Sequence, residues 1–261
     1  MKTPSPIIEY DIFRLNEYKR RDKNINWNIS SSYTFLRYDK VDYFNYLFIA
    51  NKSINTSIIN DLIIDYFDNH IRRIKFIYPK GDNYKKYLDP SKKNKTILLC
   101  KNEHFKPGKN ISNILTSVKT NSDLLIFTKI YLETFESDNK NYSEVASNFQ
   151  LLLDSKKTDL FLIKEGGNIV GVCSNYYSDT YFLLSACGIL NKYKNKGFQK
   201  KAINERLMIG KFKGYSISFA WTYEDSPSLS NLLRSGFLIE EEYEEALSKL
   251  LVDIKPTTEI L

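Results

Sequence analysis

Lys192-Tyr193-Lys194-Asn195-Lys196-Gly197-Phe198-Gln199-Lys200 lies between a strand-like apolar stretch, Tyr181 to Ile189, and a helix-like one in which Ile203, Leu207 and Gly210 mark one side. A turn that leaves a strand and opens a helix presents several unpaired backbone N–H groups at the helix's positive end, which makes it an anion site. Gly197 lets a phosphate come close because no side chain intervenes. Lys194, Lys196 and Lys200 surround that point with positive charge, so a nucleotide or a cofactor pyrophosphate is the natural ligand. Taken alone, a lysine-rich turn reads as a solvated helix start. What flanks it decides.

Upstream, Leu124 to Phe135 and Tyr142 to Leu153 have helical patterns, the latter with Val145, Phe149 and Leu152 on one face. Asp159 to Lys164 reads as a strand, Gly166-Gly167 as a tight turn, and Asn168 to Tyr176 as the hairpin partner. Asp179-Thr180 turns into a third strand. Downstream, Ser216 to Trp221 is a strand, Ser226-Pro227 caps and opens a short helix, and Gly236 stops it. Leu238 to Leu251 places Glu242, Glu245 and Lys249 at helical spacing, yet the architecture given below calls for a hairpin there, and the hairpin is the expectation.

The first half is less regular. Ser32 to Leu36 and Tyr43 to Ile49 favour strands or a buried helix. Ser57 to Phe67 is more helical, with Ile58, Leu62 and Tyr66 at spacing four. Ile74 to Tyr78 and Thr96 to Cys100 are strand candidates separated by a turn at Pro79-Lys80-Gly81-Asp82-Asn83. A polar connector runs from Lys106 to near Asp123. Residues 1–120 carry 22 Lys and Arg against 12 Asp and Glu, and residues 121–261 carry 16 against 19. That split places a domain boundary near residue 120, in keeping with a chain longer than one typical domain.

Several classes are disfavoured. With 42% hydrophobic and 14% aromatic residues the chain can build real cores. Cys100, Cys173 and Cys187 are scattered, two of them in apolar runs, so no disulfide framework follows. His70 and His104 sit in no Cys/His cluster, which argues against structural zinc. Met1-Lys2-Thr3-Pro4-Ser5-Pro6 leads into Glu9, Asp11 and Arg14, not a secretory core, and no stretch reaches membrane-spanning length. The simplest expectation is a cytoplasmic protein. The basic first half leaves room for a nucleic-acid partner, although evenly sprinkled lysines are more often solvation.

Residues 123 to about 254 resemble the GCN5-related N-acetyltransferase (GNAT) superfamily in element order. Two segments carry the resemblance. Ile189-Leu190-Asn191-Lys192-Tyr193-Lys194-Asn195-Lys196-Gly197-Phe198-Gln199 is similar to the superfamily's strand and pyrophosphate loop, [Q/R]-x-x-G-x-[G/A]. Asp225-Ser226-Pro227-Ser228-Leu229-Ser230-Asn231-Leu232-Leu233-Arg234-Ser235-Gly236-Phe237 is similar to its Asn-x-x-Ser/Ala…Gly-Phe segment. Lys194 stands in place of Gln or Arg and loses a planar donor, Gln199 replaces a small residue, and Asp225 replaces the usual Asn. The resemblance implies an α+β fold of tandem acyl-CoA N-acyltransferase-like domains, each a mixed, mainly antiparallel sheet flanked by helices. Residues 121–261 would be the catalytic domain, and residues 1–120 a degenerate second copy that shapes the substrate pocket. The aromatic cluster Trp27, Tyr33, Phe35, Tyr43, Phe44 and Tyr46 either lines that pocket or packs the core.

It also implies acetyl-CoA as cosubstrate, held by Ile189, Leu190, Lys194, Asn195, Lys196, Gly197, Phe198, Gln199, Lys200, Asp225 and Ser228, and direct attack by the amine of a small-molecule acceptor. Such transfer needs a neutral amine, a polarised thioester carbonyl and a stabilised thiolate. The superfamily's usual tyrosine acid falls on Leu232 here. Glu224 relaying the proton through water and Tyr223 donating to sulfur are the candidates that remain, with Asp179 as a second choice of base. Two other function classes stay open. One is an aminoacyl-tRNA-dependent transferase, since those enzymes also pair two such halves, and the other is a non-catalytic CoA-binding module.

Overall fold

The computed structural model describes residues 5–38, 40–50, 54–68, 71, 74–81, 84, 86–89, 95–102, 112–135 and 142–249. Its helices are α1 (Pro6–Lys19), α2 (Thr56–Asp68), α3 (Asn121–Thr134), α4 (Tyr142–Asp154), α5 (Phe198–Phe212) and α6 (Pro227–Arg234). Its strands are β1 (Ile25–Ile29), β2 (Tyr33–Tyr38), β3 (Tyr46–Ile49), β4 (Lys75–Pro79), β5 (Lys95–Asn102), β6 (Leu115–Ser117), β7 (Thr158–Glu165), β8 (Asn168–Tyr177), β9 (Phe182–Ile189), β10 (Ser218–Tyr223) and β11 (Leu238–Leu247). They fall into two units, Met1–Leu98 with Glu241–Leu261, and Leu99–Glu240. This division differs from a boundary near residue 120. Charge balance describes the surface, whereas backbone pairing decides which segments belong together.

In the first unit the strand order is β1-β2-β3-β4-β11. β1, β2 and β3 are antiparallel, and β3 and β4 are parallel across the α2 crossover. The buried stripe of α2 is Ile59, Ile63 and Tyr66, which pack with Phe35, Leu47, Phe76 and Tyr78. Ile58 and Leu62, which the spacing of four put on that stripe, sit at its margin. Phe35, Phe44 and Tyr46 are buried, so these members of the aromatic cluster are core residues. Helix α1 opens on Ser5-Pro6, a helix-start signal not used in the sequence reading. It is fixed from within, because Asp11 is buried where it pairs with Arg14 and accepts from the Tyr46 hydroxyl (2.6 Å).

Among the described residues no hairpin follows Leu238, since β11 is a single strand of ten residues. Tyr243 to Leu247 pair antiparallel with Pro79 to Lys75 of β4. Glu245 meets Lys75 (3.5 Å), Glu242 meets Lys80 (3.3 Å), and the Tyr243 ring packs on Phe48. Cross-strand pairing thereby overrides the local helical spacing. Lys106 to Asn110, Asp82, Asn83, His70 and His104 lie outside the described residues, as does the end of the chain from Leu250.

In the second unit the order is β10-β9-β8-β7-β6. β6 to β9 are antiparallel, and β9 and β10 are parallel across α5. Gly166 and Gly167 both have positive φ (54° and 79°), as a tight turn between right-twisted strands requires. The run Leu160-Phe161-Leu162-Ile163 is buried on both faces. Leu160 and Leu162 pack with Leu124, Phe127 and Ile130 of α3, and Phe161 and Ile163 pack with Phe198 and Ala202 of α5. A strand covered on both faces loses the apolar–polar alternation, which explains that continuous run. Both units therefore repeat one plan, antiparallel strands followed by a parallel crossover. No described helix is long and apolar enough to cross a membrane.

Candidate functional site

β9 and β10 are paired only at Phe182–Leu184 against Ser218–Ala220. β9 continues to Ile189 and β10 to Tyr223 without further pairing, so the two parallel strands part in the middle of the sheet. The cause is in β9. Leu184 is opposite Asn175 and Ala186 opposite Ser174, which leaves Ser185 without a partner as a bulge. A bulge bends its strand and increases its twist. The Ser185 hydroxyl holds the bulge by donating to the Ser174 carbonyl (3.1 Å).

After β9 the chain makes one 3-10 turn at Asn191–Tyr193 and then two left-handed residues, Asn195 (φ 62°) and Gly197 (φ 80°). Gly197 is the N-cap of α5. The first backbone bond of that helix runs from Lys201 N–H to the Gly197 carbonyl (3.1 Å). The N–H groups of Phe198, Gln199 and Lys200 are thus free of intrahelical partners. A Cβ placed on Gly197 would meet nothing within 4 Å. The space beside this backbone is open to a ligand.

This turn lines a cavity of about 660 Å³. Its wall comprises Cys187, Gly188 and Ile189 of β9, the turn and α5 residues Tyr193, Lys194, Asn195, Gly197, Phe198, Gln199 and Lys200, and residues from α6 and the end of α3. Among the described residues three cations, Lys194, Lys200 and Arg234, line it, and no carboxylate does. Burial pushes the Cys187 thiol up, with Arg206 pulling the other way. The close approach of α3 is enforced at Gly188, where a Cβ would overlap Thr134 Oγ1.

Of the residues expected to hold a cofactor, Ile189, Lys194, Asn195, Gly197, Phe198, Gln199, Lys200 and Ser228 line this cavity. Leu190, Lys196 and Asp225 do not. The Leu190 N–H is taken by the Val170 carbonyl (3.0 Å), so the sheet uses it. Lys196 lies near the Tyr193 ring (5.4 Å), and Asp225 is an exposed residue just before the cap of α6. Gln199, long where a small residue is usual, turns sideways. It donates to Ser228 Oγ (2.6 Å) and accepts from Asn231 Nδ2 (2.7 Å), bridging α5 to α6. Ser226 caps α6, accepting from Leu229 N–H and donating to the Tyr223 carbonyl (2.8 Å).

None of Tyr223, Glu224 and Asp179 lines the cavity. Asp179 precedes β9, at the end opposite Gly188, where it is 92% exposed and pairs with Lys157 (3.3 Å). A strand of eight residues spans roughly 26 Å at 3.3 Å per residue, which is too far for a base. Tyr223 and Glu224 are at the end of β10, beyond where it leaves β9. Leu232, at the place of the superfamily's tyrosine, is buried and contributes no proton. Thr134, Phe135, Cys187, Gly188, Tyr193, Asn231 and Arg234 line the cavity without having been singled out as ligand residues. Only the spacing of Asn231 and Arg234 along α6 could have suggested them.

No protein-family model matches the chain, and neither does any curated protein sequence. Solved structures do. A GCN5-related N-acetyltransferase from Kribbella flavida superposes with a TM-score of 0.64 at 13% identity, covering 95% of this chain and 96% of that one. The fold is that of the GCN5-related N-acetyltransferases. A tandem GNAT protein from the clavulanic acid biosynthesis pathway matches at TM-score 0.55 and 9% identity, over 90% of this chain and 86% of its own. A conserved protein of unknown function from Staphylococcus epidermidis matches at 0.63 and 11%, over 89% and 97%. The GNAT fold extends over both units, as a tandem arrangement requires.

Proposed function

We propose that the chain is an acetyl-CoA-dependent N-acetyltransferase acting on the amine of a small-molecule acceptor. One observation carries the reading. The parted ends of β9 and β10, the left-handed Gly197 turn and the start of α5 belong to a single site, whose cavity wall has, among the described residues, three cations and no acid. CoA fits that wall, because its phosphates would find Lys194, Lys200, Arg234 and the free N–H groups of Phe198 to Lys200. When bound, acetyl-CoA supplies an activated acyl carbon and a thiol leaving group.

The protein's own part is chiefly positioning and electrostatics. The stretch from the Ser185 bulge to Ile189, paired with β8 but not with β10, offers the backbone groups of its β10-facing edge beside the cavity, and the packing of α3 at Gly188 shapes its wall. Tyr223 and Glu224 are the proton donor and the relay base on the β10 side. The buried Leu232 also favours a second reading, a module that binds CoA without transferring its acyl group.

Thermal-shift titration with acetyl-CoA, free CoA and longer acyl-CoAs tests binding. A ligand at 100 times its Kd adds about 2.7 kcal/mol, which is a rise of about 5–11 °C for a chain of this size. No shift with any of them refutes the proposal. Binding without thioester turnover toward a panel of amines supports the second reading. Unchanged turnover in both Glu224→Ala and Tyr223→Phe removes those two residues from the mechanism.

A further inference from the structure

Arg206 lies in the middle of α5 and is 2% exposed, the largest of the fully buried side chains. Among the described residues it forms no ion pair. Its neighbour Glu205 is turned to β6, where it accepts from the N–H groups of Ile114 (2.9 Å) and Leu115 (3.2 Å). The Arg206 Nη1 donates to two carbonyls, Ser174 (3.1 Å) and Ala186 (2.9 Å), and its Nε has no partner. A buried cation without a counterion is costly to fold, and an apolar residue of the same length would avoid that cost. Retaining it calls for another role.

Its two acceptors indicate one. Ser174 and Ala186 are opposite each other across β8 and β9, and the unpaired Ser185 lies next to Ala186. Arg206 therefore grips the bulge that turns β9 from β10. Its charge also lies beside the cavity, because the carbonyl it holds belongs to Ala186 (2.9 Å), the residue before Cys187, and Cys187 lines the wall; in keeping with this, Arg206 opposes the effect of burial on the Cys187 thiol. The ionisable groups around it are Glu205, Cys173 and Cys187, and around the cavity Lys194, Lys200 and Arg234.

We propose that Arg206 is a positioning residue for acyl transfer, clamping the β9 bulge and placing buried positive charge behind the wall where a thiolate leaves. This rests on the function proposed above. In the step concerned, the acceptor nitrogen bonds to the acyl carbon, the C–S bond breaks with its electron pair going to sulfur, the surplus amine proton passes through water to Glu224, and Tyr223 then protonates the sulfur. Positive charge behind the wall lowers the energy of that sulfur anion and of the oxyanion before it.

The test compares wild type with Arg206→Met and Arg206→Lys by melting, CoA and desulfo-CoA calorimetry, ultraviolet titration of the bound CoA thiol, and turnover. Arg206→Met, which trades two hydrogen bonds to carbonyls for relief of a buried charge, is expected to melt within a few degrees of wild type, to keep its desulfo-CoA affinity, to hold bound CoA with a raised thiol pKa, and to lose about 10²–10³ in kcat. Arg206→Lys keeps the charge and is expected to retain the lowered thiol pKa. A Met variant that melts far below wild type assigns Arg206 to the fold and overturns the proposal. So does unchanged thiol ionisation or unchanged kcat. Wild type failing to bind CoA refutes the parent reading instead. In that case alkylation of Cys187 still reads the field, being slowed in Arg206→Met if the charge reaches the wall and unchanged if it does not.

Discussion

Gly197→Ala separates the two functions of the turn. The backbone there has φ 80°, and a Cβ would touch nothing within 4 Å. The cost to the ligand-free protein is therefore only that of an L-residue in the left-handed region, about 1–2 kcal/mol. For a chain of this size that lowers Tm by about 2–8 °C. If a pyrophosphate lies against the N–H groups opening α5, the added methyl also displaces it. Losing one charge-assisted hydrogen bond, about 1.5–3 kcal/mol, weakens CoA binding roughly 10- to 150-fold. Gly214 supplies the control. It has φ 91° and equally open surroundings, but it follows the other end of α5, about 22 Å away along a helix of 15 residues. Gly214→Ala should show the same fall in Tm and an unaltered CoA affinity. Calorimetry and melting of both variants decide the matter. Equal losses of affinity in the two, or none in Gly197→Ala, refute phosphate contact at this turn.

Gly188→Ala places a methyl over Thr134 Oγ1 and 2.7 Å from Thr134 Cβ; overpacking of this kind costs about 1–3 kcal/mol, visible in the melting temperature together with weaker CoA binding because Gly188 lines the cavity. Ser226→Ala removes the cap of α6 and should cost about 1 kcal/mol in denaturant unfolding. The Asp123 carboxyl is held below its ordinary value chiefly by the Thr120 hydroxyl, then by the N–H groups of Lys119 and Thr120. A depressed folded pKa gives stability that is present above the unfolded value, near 3.8, and is lost as pH falls through the folded one. Wild type should therefore melt above Asp123→Asn at neutral pH, and the gap should close in acid; a constant gap contradicts the assignment.

The element order from Leu124 to Gly236 was legible in the sequence because its signals are local. Gly166-Gly167, Ser226-Pro227 and Gly236 each specify a backbone conformation within a few residues. The first half was harder to read. α1 has no side-chain cap bond, and its place in the core is set by Asp11, which accepts from Tyr46 thirty-five positions away, and by Arg14, which pairs with Asp11 and lies over Tyr43 and Phe44. After Leu238 neither the local helical spacing nor the expected hairpin describes the chain, since Glu245 finds Lys75 on β4 and Glu242 finds Lys80 just after it.

By itself, the sequence determined that a glycine turn with an anion-binding helix start follows a central strand, and that two α+β units share the chain. Only the tertiary structure decided how that turn becomes a cavity. The bulge at Ser185, the parting of β9 and β10, the sideways turn of Gln199 and the burial of Arg206 beneath the bulge all depend on residues distant in the chain. A turn is specified by torsion angles of neighbouring residues, whereas a cavity is the space left between elements. Its walls are set by which strands pair and where they stop pairing.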